Sequence, residues 1–243
     1  MGKVVRQLVV WMVAVAAPAW AASSAEEILQ MLGSPDYARR QAASDALLAD
    51  RTLADDALVS LYGAARTREQ RHRLLAVARH NLLRRARLAR NHKKGEAGSI
   101  GIAHEGRISS SLPGLNRPAV MVVRTLPGFP AHERLRSGDL ILAVDGHQLV
   151  ENGRPAFLRQ EFPVRIRSKK AGQTVRLSIF RNQRAFDVVL PLATGRALEE
   201  MYPQDIGYVL ADPYRSQWMR LRARLEALEP PRRDLLNGES VGE

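Results

Sequence analysis

Few side chains in this chain of 243 residues have the types and spacings that enzymes use for catalysis. The histidines are scattered, and none forms the His-Glu-x-x-His pattern that places two metal ligands and a general base on one helix face. They are His72, His80, His92, His104, His132 and His147. No serine lies in a glycine-rich loop of the Gly-Asn-Ser-Gly-Gly type, and no phosphate-binding or dinucleotide-binding glycine pattern occurs. We therefore expect a protein that is not an enzyme and that uses no cofactor and no metal.

The first 21 residues have the three parts of a cleavable secretory signal. Lys3 and Arg6 supply the basic start, residues 8–17 are apolar, and small residues stand at Ala19 and Ala21. We expect cleavage after Ala21 and export to the periplasm or the extracellular space, where nucleic acid is not an expected partner. The alternative is an uncleaved anchor, but a membrane span needs roughly 20 apolar residues.

Composition places further limits on the chain. It contains no cysteine, so it can form neither a disulfide framework nor a thiolate metal site. Its net charge is +12, from 37 basic and 25 acidic residues. Between Arg66 and Lys94 the acidic residue is Glu69 alone, whereas the basic residues are Arg66, Arg68, Arg71, Arg73, Arg79, Arg84, Arg85, Arg87, Arg90, Lys93 and Lys94. This segment can bind an anionic membrane surface, or it can be the ordinary solvated face of a helix in an arginine-rich protein.

Residues 22–92 are predicted to form a helical domain, because apolar residues recur there at spacings of three and four. Helices are expected at residues 28–32, 36–47, 55–62 and 67–90. The inward-facing residues of the third and fourth helices are predicted to be Ala57, Leu58, Leu61, Leu75, Ala78, Leu82, Ala86 and Ala89. Helices joined by short turns favour a small antiparallel bundle.

The second predicted helix carries a more specific pattern. Asp36 begins it, Arg40 follows four residues later, and the paired Ala42 and Ala43 precede Leu47. This pattern resembles a helix of a HEAT repeat. Only about two such units fit in the segment, whereas solenoids usually need three or more. The resemblance therefore implies either a short HEAT-like unit or an ordinary helical bundle.

A polar, glycine-bearing linker at residues 93–97 precedes a region in which apolar and polar residues alternate. Strands are predicted at residues 100–103, 119–124, 140–144, 175–181 and 186–192. The predicted fold class is therefore multidomain. An all-α bundle is followed by an α+β module at residues 98–195, resembling a partly open β-barrel, and by a C-terminal helix.

The most informative motif spans residues 119–146, which describe in order a strand, a turn, a short helix, a turn, a strand and a turn. The residues that mark these changes are Pro127, Gly128, Pro130, Gly138, Asp139, Asp145 and Gly146. Together with residues 171–181, this motif resembles a PDZ domain of the bacterial envelope type. The resemblance covers about residues 98–192.

A PDZ resemblance implies a module that binds an extended peptide, usually a C-terminus, as an added strand beside the domain's second strand. Residues 99–102 match the family's loop that holds the terminal carboxylate with backbone N–H groups. The implied peptide-binding residues are Ser99, Ile100, Gly101, Ile102, Ala103, His104, Glu161, Arg165 and Ser168. The alternative is that Gly101 is only the glycine at which a strand begins.

The sequence departs from the family's pattern between residues 146 and 172. This segment is longer than expected, and Pro163 interrupts the region that should form the groove helix, which could equally be a strand. With Glu161, Arg165 and Ser168 on the groove face, that face would be polar and partly cationic. We therefore expect a ligand with an acidic side chain just upstream of its terminus.

The C-terminal part is predicted to contain an extension at residues 196–229 and a disordered tail at residues 230–243. A strand is expected at residues 205–210, followed by a helix that begins at Asp212. One face of this helix carries Trp218, Leu221, Leu225 and Leu228. This face can dimerise or pack within the protein, and internal packing is favoured.

The sequence therefore predicts an exported, non-catalytic protein that captures peptide segments or C-termini of envelope proteins. One alternative is an accessory subunit that presents substrates to a separate envelope protease. Another is a structural interaction protein whose groove is occluded by its own residues 196–243.

Overall fold

The computed structural model describes residues 24–90, 95–107, 117–149, 155–204 and 207–229. The predicted signal peptide and the predicted disordered tail lie outside the described residues, so both remain predictions. The described chain is a mixed α+β structure whose antiparallel sheets do not close into a barrel. Within these ranges, no helix is both long enough and apolar enough to span a membrane.

Four helices occupy the N-terminal part of the described chain. They are α1 (Ala25–Leu32), α2 (Tyr37–Ala49), α3 (Asp55–Ala64) and α4 (Arg68–Ala89). Side chains satisfy N–H groups that would otherwise lack partners at three helix starts. Ser24 and Glu27 form a capping box, as do Thr67 and Gln70, and Asp36 caps α2. The helix positions predicted from the periodicity are confirmed.

The predicted inward faces of α3 and α4 are partly wrong. On α3, Ala57 is exposed and Tyr62 is buried instead. On α4, Leu75, Leu82 and Ala86 are only half-buried and Ala89 is exposed. The buried residues of α4 are Gln70, Leu74, Val77, Ala78, His80, Asn81, Leu83 and Arg84. The reason is that α4 contacts the other N-terminal helices, a C-terminal helix and residues 128–133 on different sides, so polar residues are buried along with apolar ones.

The second half of the described chain contains the strands. They are β1 (Gly98–Ser99), β2 (Ile102–Arg107), β3 (Ala119–Thr125), β4 (Leu140–Val144), β5 (His147–Gln148), β6 (Thr174–Arg181), β7 (Arg184–Pro191) and β8 (Ala193–Thr194). The main sheet has the order β2-β3-β4-β6-β7, with β5 paired to β4, and β1 pairs with β8 separately. All these pairs are antiparallel. A short 3-10 helix (Pro130–Glu133) follows β3, as the proline at its start predicts.

A helix, α5 (Pro155–Arg167), forms where the sequence left helix and strand equally open. It contains Pro163, which lacks the N–H needed for a helical hydrogen bond. The apolar side chains of Leu158, Phe162 and Ile166 recur every four residues, and each is less than 5% exposed in the core beneath the sheet. Their burial offsets the cost of one missing hydrogen bond.

The C-terminal part forms α6 (Gly195–Met201) and α7 (Asp212–Glu226). The prediction of a strand at residues 205–210 is wrong for the described residues 207–210, because Gly207 and Tyr208 have positive φ angles of 69° and 59°. On α7, Leu225 is buried and Trp218 packs against the same apolar core as α1–α4. Internal packing of this helix is therefore confirmed, although Leu228, placed on the same face by the sequence, is 43% exposed.

Candidate functional site

The candidate site is the groove between β2 and α5. Within the described part of the chain, β2 lies at one edge of the main sheet and pairs with β3. α5 packs along β2, and the ring of Phe162 on α5 meets the ring of His104 on β2 edge-on, with centroids 5.1 Å apart. Ile102 lies beneath this contact and is 6% exposed. An edge strand next to a helix is an arrangement in which an extended peptide can be added to a sheet.

The loop before β2 contains the residues to which the resemblance assigned the carboxylate. Gly101 has a φ angle of +76°, which turns the chain between β1 and β2. Ile100 and Ile102 on either side of it belong to the core beneath α5. The hydroxyl oxygen of Ser99 accepts a hydrogen bond from the N–H of Gly101 at 3.3 Å. The structure thus brings Ser99, Ile100, Gly101 and Ile102 together at the start of β2, where Ala103 and His104 follow.

Gly101 also lies in a confined position. A Cβ atom at this residue would lie 2.1 Å from the Cβ of Phe129, closer than real Cβ atoms approach. The N–H of Leu126 donates to the carbonyl of Gly101 at 2.9 Å, and the N–H of Ala131 donates to the carbonyl of Ile100 at 3.0 Å. Residues 126–131 therefore hold this loop in place through its carbonyl groups. These contacts fit both the carboxylate-loop role and the simpler role of a glycine at a strand start.

Two of the predicted groove residues, Glu161 and Arg165, lie on α5 and neutralise each other's charge. The guanidinium of Arg165 bonds the carboxylate of Glu161 at 2.8 Å through Nε and 2.7 Å through Nη2. Ser168 is exposed, and its hydroxyl donates to the carbonyl of Arg165 at 2.9 Å. Because Glu161 neutralises Arg165, this stretch does not have the net positive charge on which the expected preference for acidic ligands was based.

The basic helix α4 uses many of its cations inside the protein. Arg84 donates to the carbonyls of Leu48 and Asp50 at 3.2 and 2.8 Å, and its side chain is 5% exposed. Arg73 donates to the carboxylate of Glu69 and the hydroxyl of Ser44 at 2.6 and 3.0 Å. Further pairs are Arg85 with Asp55 and Arg90 with Glu200. Much of this charge therefore joins helices to one another, which neither the membrane interpretation nor the solvated-face interpretation anticipated.

A second polar cluster, which the sequence did not predict, joins α4 to the turn after β3. His80 on α4 is fully buried, and its Nδ1 accepts a hydrogen bond from the N–H of Gly128 at 3.0 Å. Its Nε2 lies 3.4 Å from the carboxylate of Glu133 and must carry the proton of the neutral ring, because Nδ1 is an acceptor. The ring of His132 stacks on that of His80, with centroids 5.1 Å apart. We call His80, Gly128, His132 and Glu133 the histidine junction.

Burial keeps the histidines of this junction neutral. It lowers the pKa of His80, although Glu133 acts in the opposite direction. It also lowers the pKa of His132 to about 3, and the positive charge of Arg79 adds to this effect. Nearby, burial lowers the pKa of Arg87 to about 10, so Arg87 still carries its charge at neutral pH.

The sequence contained only a weak signal for this cluster. His80 stands on the predicted fourth helix, and Gly128 stands in a Pro-Gly turn whose need for a positive φ explains the glycine by itself. That φ is +89°. The structure adds a second reason, since a Cβ at Gly128 would lie 2.8 Å from the Cβ of Leu83 on α4.

No protein-family model and no curated protein matches this chain. Two solved structures that it resembles are of the HtrA-type protease AlgW with a decapeptide, one of them a substituted form. The substituted form is 15% identical over 46% of this chain and 32% of that chain, with a TM-score of 0.34. The other is 18% identical over 40% and 29%, with a TM-score of 0.32. The chain thus corresponds to about a third of the length of these structures, and similarity this low carries no functional argument.

Proposed function

We propose that this protein is a non-catalytic, peptide-binding protein that captures extended segments or C-termini of other proteins in the groove between β2 and α5. The observation that carries the proposal is the position of β2 at the sheet edge, next to α5. An edge strand offers backbone N–H and C=O groups to a further strand. A peptide that lies between β2 and α5 would pair with these groups, and that pairing supplies affinity without a specific sequence.

The loop at residues 99–102 would select ligands that end in a free carboxylate. Its N–H groups would bind a terminal carboxylate, because charge-assisted hydrogen bonds from backbone amides to an anion are stronger than those to a neutral acceptor. Ile100, Ile102 and Phe162 belong to the buried apolar core where α5 packs on the sheet, and they would form the base of the groove. We therefore expect the last side chain of the ligand to be apolar.

This function is tested by measuring the binding of short peptides to the full chain. Peptides selected from a random library would be labelled and titrated by fluorescence anisotropy, each with a free C-terminal carboxylate and with an amidated C-terminus. We expect amidation to weaken binding at least about tenfold, the effect of losing about 1.4 kcal/mol. Equal affinity of the two forms would rule out the carboxylate role of the loop. A library without any binding member would contradict peptide capture.

The ion pair on α5 provides a test of specificity. In Glu161→Gln, Arg165 loses the carboxylate that neutralises it, so acidic peptides should gain affinity relative to neutral ones. Asp212→Asn is the matched control, because it removes an exposed carboxylate that pairs with Arg215 on α7. An equal change in both variants would show that only the overall charge of the protein matters.

The alternatives from the sequence differ in their support. Occlusion of the groove by residues 196–243 is not supported by α7, which packs against α3 and α4, whereas α6 contacts β1 at the start of the loop. An accessory role beside a separate protease remains compatible with peptide capture, and co-purification with a protease would favour it.

Export is part of the proposal and rests on residues 1–21. Expression of the full chain in a bacterial host, followed by N-terminal sequencing of the periplasmic fraction, should give a mature chain that begins at Ala22. A full-length chain retained in the cytoplasm would contradict it.

A further inference from the structure

Gly128 is held by α4 through both of its backbone polar groups. Its N–H donates to Nδ1 of His80 at 3.0 Å, and its carbonyl accepts from Nε of Arg87 at 2.8 Å. The neighbouring carbonyl of Pro127 accepts from the hydroxyl of Tyr202 at 3.0 Å. The turn after β3 is therefore fixed to α4 and α6 by directional bonds as well as by packing.

The same turn holds the loop before β2. Leu126 and Ala131 donate to the carbonyls of Gly101 and Ile100, and Phe129 packs against Gly101. A continuous set of contacts thus leads from His80 on α4, through residues 126–131, to the loop that forms one end of the candidate groove. A change in the first contact can reach the last through physically joined groups.

A second proton on the ring of His80 would break its hydrogen bond with the N–H of Gly128. It would have to bind Nδ1, which would then face the N–H of Gly128 as one donor against another. On His132, a proton would lie next to His80 and within the field of Arg79. His80 is fully buried and His132 is half-buried, so water solvates the new charge poorly.

The charges around the pair do not favour protonation. α4 supplies Arg79, Arg84 and Arg87, and the 3-10 helix supplies the carboxylate of Glu133. Arg51, two residues after the end of α2, adds positive charge next to Arg84 and Arg87. Glu133 is the one anion among these groups. Its carboxylate also pairs with Arg84, whose Nη1 lies 3.7 Å from Oε1. The other neighbouring groups are neutral hydroxyls: that of Thr125 on β3, 2.9 Å from Nδ1 of His132, and that of Tyr202 just after α6, which donates to the carbonyl of Pro127. α2 packs against the 3-10 helix, and the carboxylate of its Asp45 accepts a hydrogen bond from Arg136.

We propose that the histidine junction is an acid-sensitive contact, which separates α4 from residues 126–133 when either histidine takes up a proton. The ordinary pKa of histidine is about 6.5, and it is lowered in the packed state. The contact is therefore complete above about pH 6.5 and weakens as the pH falls toward the packed-state pKa. As the pH falls through this window, each histidine raises the ratio of separated to packed protein by up to about tenfold per pH unit.

Separation would also loosen the loop at residues 99–102 and lower peptide affinity at acidic pH. This consequence rests on the proposed function, whereas the separation itself does not. A measurement on the junction alone therefore distinguishes failure of the acid-sensitive contact from failure of peptide binding.

The test is the hydrogen-exchange protection of the Gly128 amide in the full chain, measured by NMR from about pH 7.5 to about pH 5.5. Protection is expressed relative to the unstructured chain at the same pH, which removes the intrinsic pH dependence of exchange. We expect it to fall at least about tenfold over this range, while the amide of Ile179 in the interior strand β6 keeps its protection. A parallel loss at Ile179 would show global unfolding and would overturn the proposal.

Two variants make the test specific. In His80→Asn, the side-chain oxygen can occupy the place of Nδ1 and accept from Gly128 without titrating, so the pH dependence of protection should fall to the part that His132 supplies. His72→Asn, which changes an exposed histidine of the same helix, should behave as the wild type. A wild-type Gly128 amide whose protection is constant with pH would contradict the proposal.

A direct titration covers the case in which His80→Asn does not fold. The imidazole signals of His80 and His132 in the wild type should remain those of neutral rings down to the pH at which Gly128 loses protection. His132→Asn should reduce the pH dependence of that loss. A normal titration of His80 near pH 6.5 with the Gly128 amide still protected would overturn the proposal.

Discussion

Nδ1 of His80 accepts a hydrogen bond from the N–H of Gly128 at 3.0 Å, and this bond joins two parts of the chain that the sequence assigns to different domains. Gly128 also lies directly against the backbone of α4, since a Cβ there would be 2.9 Å from the carbonyl carbon of Leu83. The turn after β3 is therefore shaped by contact with α4 as much as by its own Pro-Gly sequence.

Gly128→Ala tests this contact. Gly128 and Gly138 both have a φ of +89°, but a Cβ at Gly138 would meet no atom within 4 Å. Gly138→Ala should therefore lower the free energy of unfolding only by the left-handed strain, about 1–2 kcal/mol. Gly128→Ala should lower it by about 1–3 kcal/mol more, because the new methyl group overpacks against Leu83. Urea denaturation followed by circular dichroism measures both, and equal losses would show that the approach of α4 is unimportant.

A buried ion pair at the start of β4 gives a second prediction. Asp139 is 2% exposed and accepts two hydrogen bonds from Arg181, at 2.6 and 2.7 Å, and one from the N–H of Arg136 at 2.7 Å. Asp139→Asn leaves Arg181 without its countercharge and should lower the free energy of unfolding by about 3–5 kcal/mol.

Asp212→Asn is the exposed counterpart of this change, since the side chain of Asp212 is 78% exposed in its pair with Arg215. It should change the unfolding midpoint little, because water and salt screen such pairs. If both variants unfold at the same denaturant concentration, the Asp139 pair is no more important than a surface pair.

Asn81 on α4 gives a prediction in the stabilising direction. Its side chain is fully buried, and neither its amide nitrogen nor its oxygen has a hydrogen-bond partner among the described residues. A buried polar group without a partner costs about 1–3 kcal/mol. Asn81→Leu, which has a similar volume, should therefore raise the melting temperature in a calorimetric scan. A lower melting temperature would mean that Asn81 bonds a buried water molecule that the variant loses.

The histidine junction and the burial of Asn81 are features of the fold that the sequence did not predict. The strands, turns and capped helices followed from local chemistry, as with Pro130 at the start of the 3-10 helix. The buried face of α4 did not follow, because His80 and Arg84 are buried by groups more than 30 residues away in the chain. Hydrophobic periodicity detects apolar stripes, and it cannot detect a polar side chain whose partner is distant.

The candidate groove was predictable to a similar degree. The glycine of the loop, Gly101, and the strand beside which a peptide would be added were both implied by the PDZ resemblance. The helical state of residues 155–167 did not, because Pro163 and the alternation after it resemble a strand until the burial of Phe162 and Ile166 is known. The neutralisation of Arg165 by Glu161 also required the structure, although an i, i+4 pair on a helix is a recognisable signal once the helix is established.

Ser99 provides a prediction about the loop itself. Its hydroxyl accepts from the N–H of Gly101 and thus occupies a donor that a ligand carboxylate would need. Ser99→Ala should lower the free energy of unfolding by about 1 kcal/mol and raise the affinity for carboxylate-terminated peptides severalfold. Unchanged affinity in the anisotropy assay would show that this N–H does not face the ligand.

Substitution of Gly101 is a poor test of the same loop. A side chain there would collide with Phe129, so a loss of binding by Gly101→Glu would report a disturbed fold as readily as a blocked groove. Ser99→Ala avoids this problem because it removes atoms and adds none.

The most direct test of peptide capture between β2 and α5 is amide chemical-shift mapping by NMR of the full chain with a carboxylate-terminated peptide selected from the library. We predict that the largest shifts occur at residues 99–105 of the loop and β2 and on the facing side of α5. The amides of β7, at the opposite edge of the sheet, should change little. Shifts concentrated on β7, or the same shifts with the amidated peptide at equal affinity, would contradict the account.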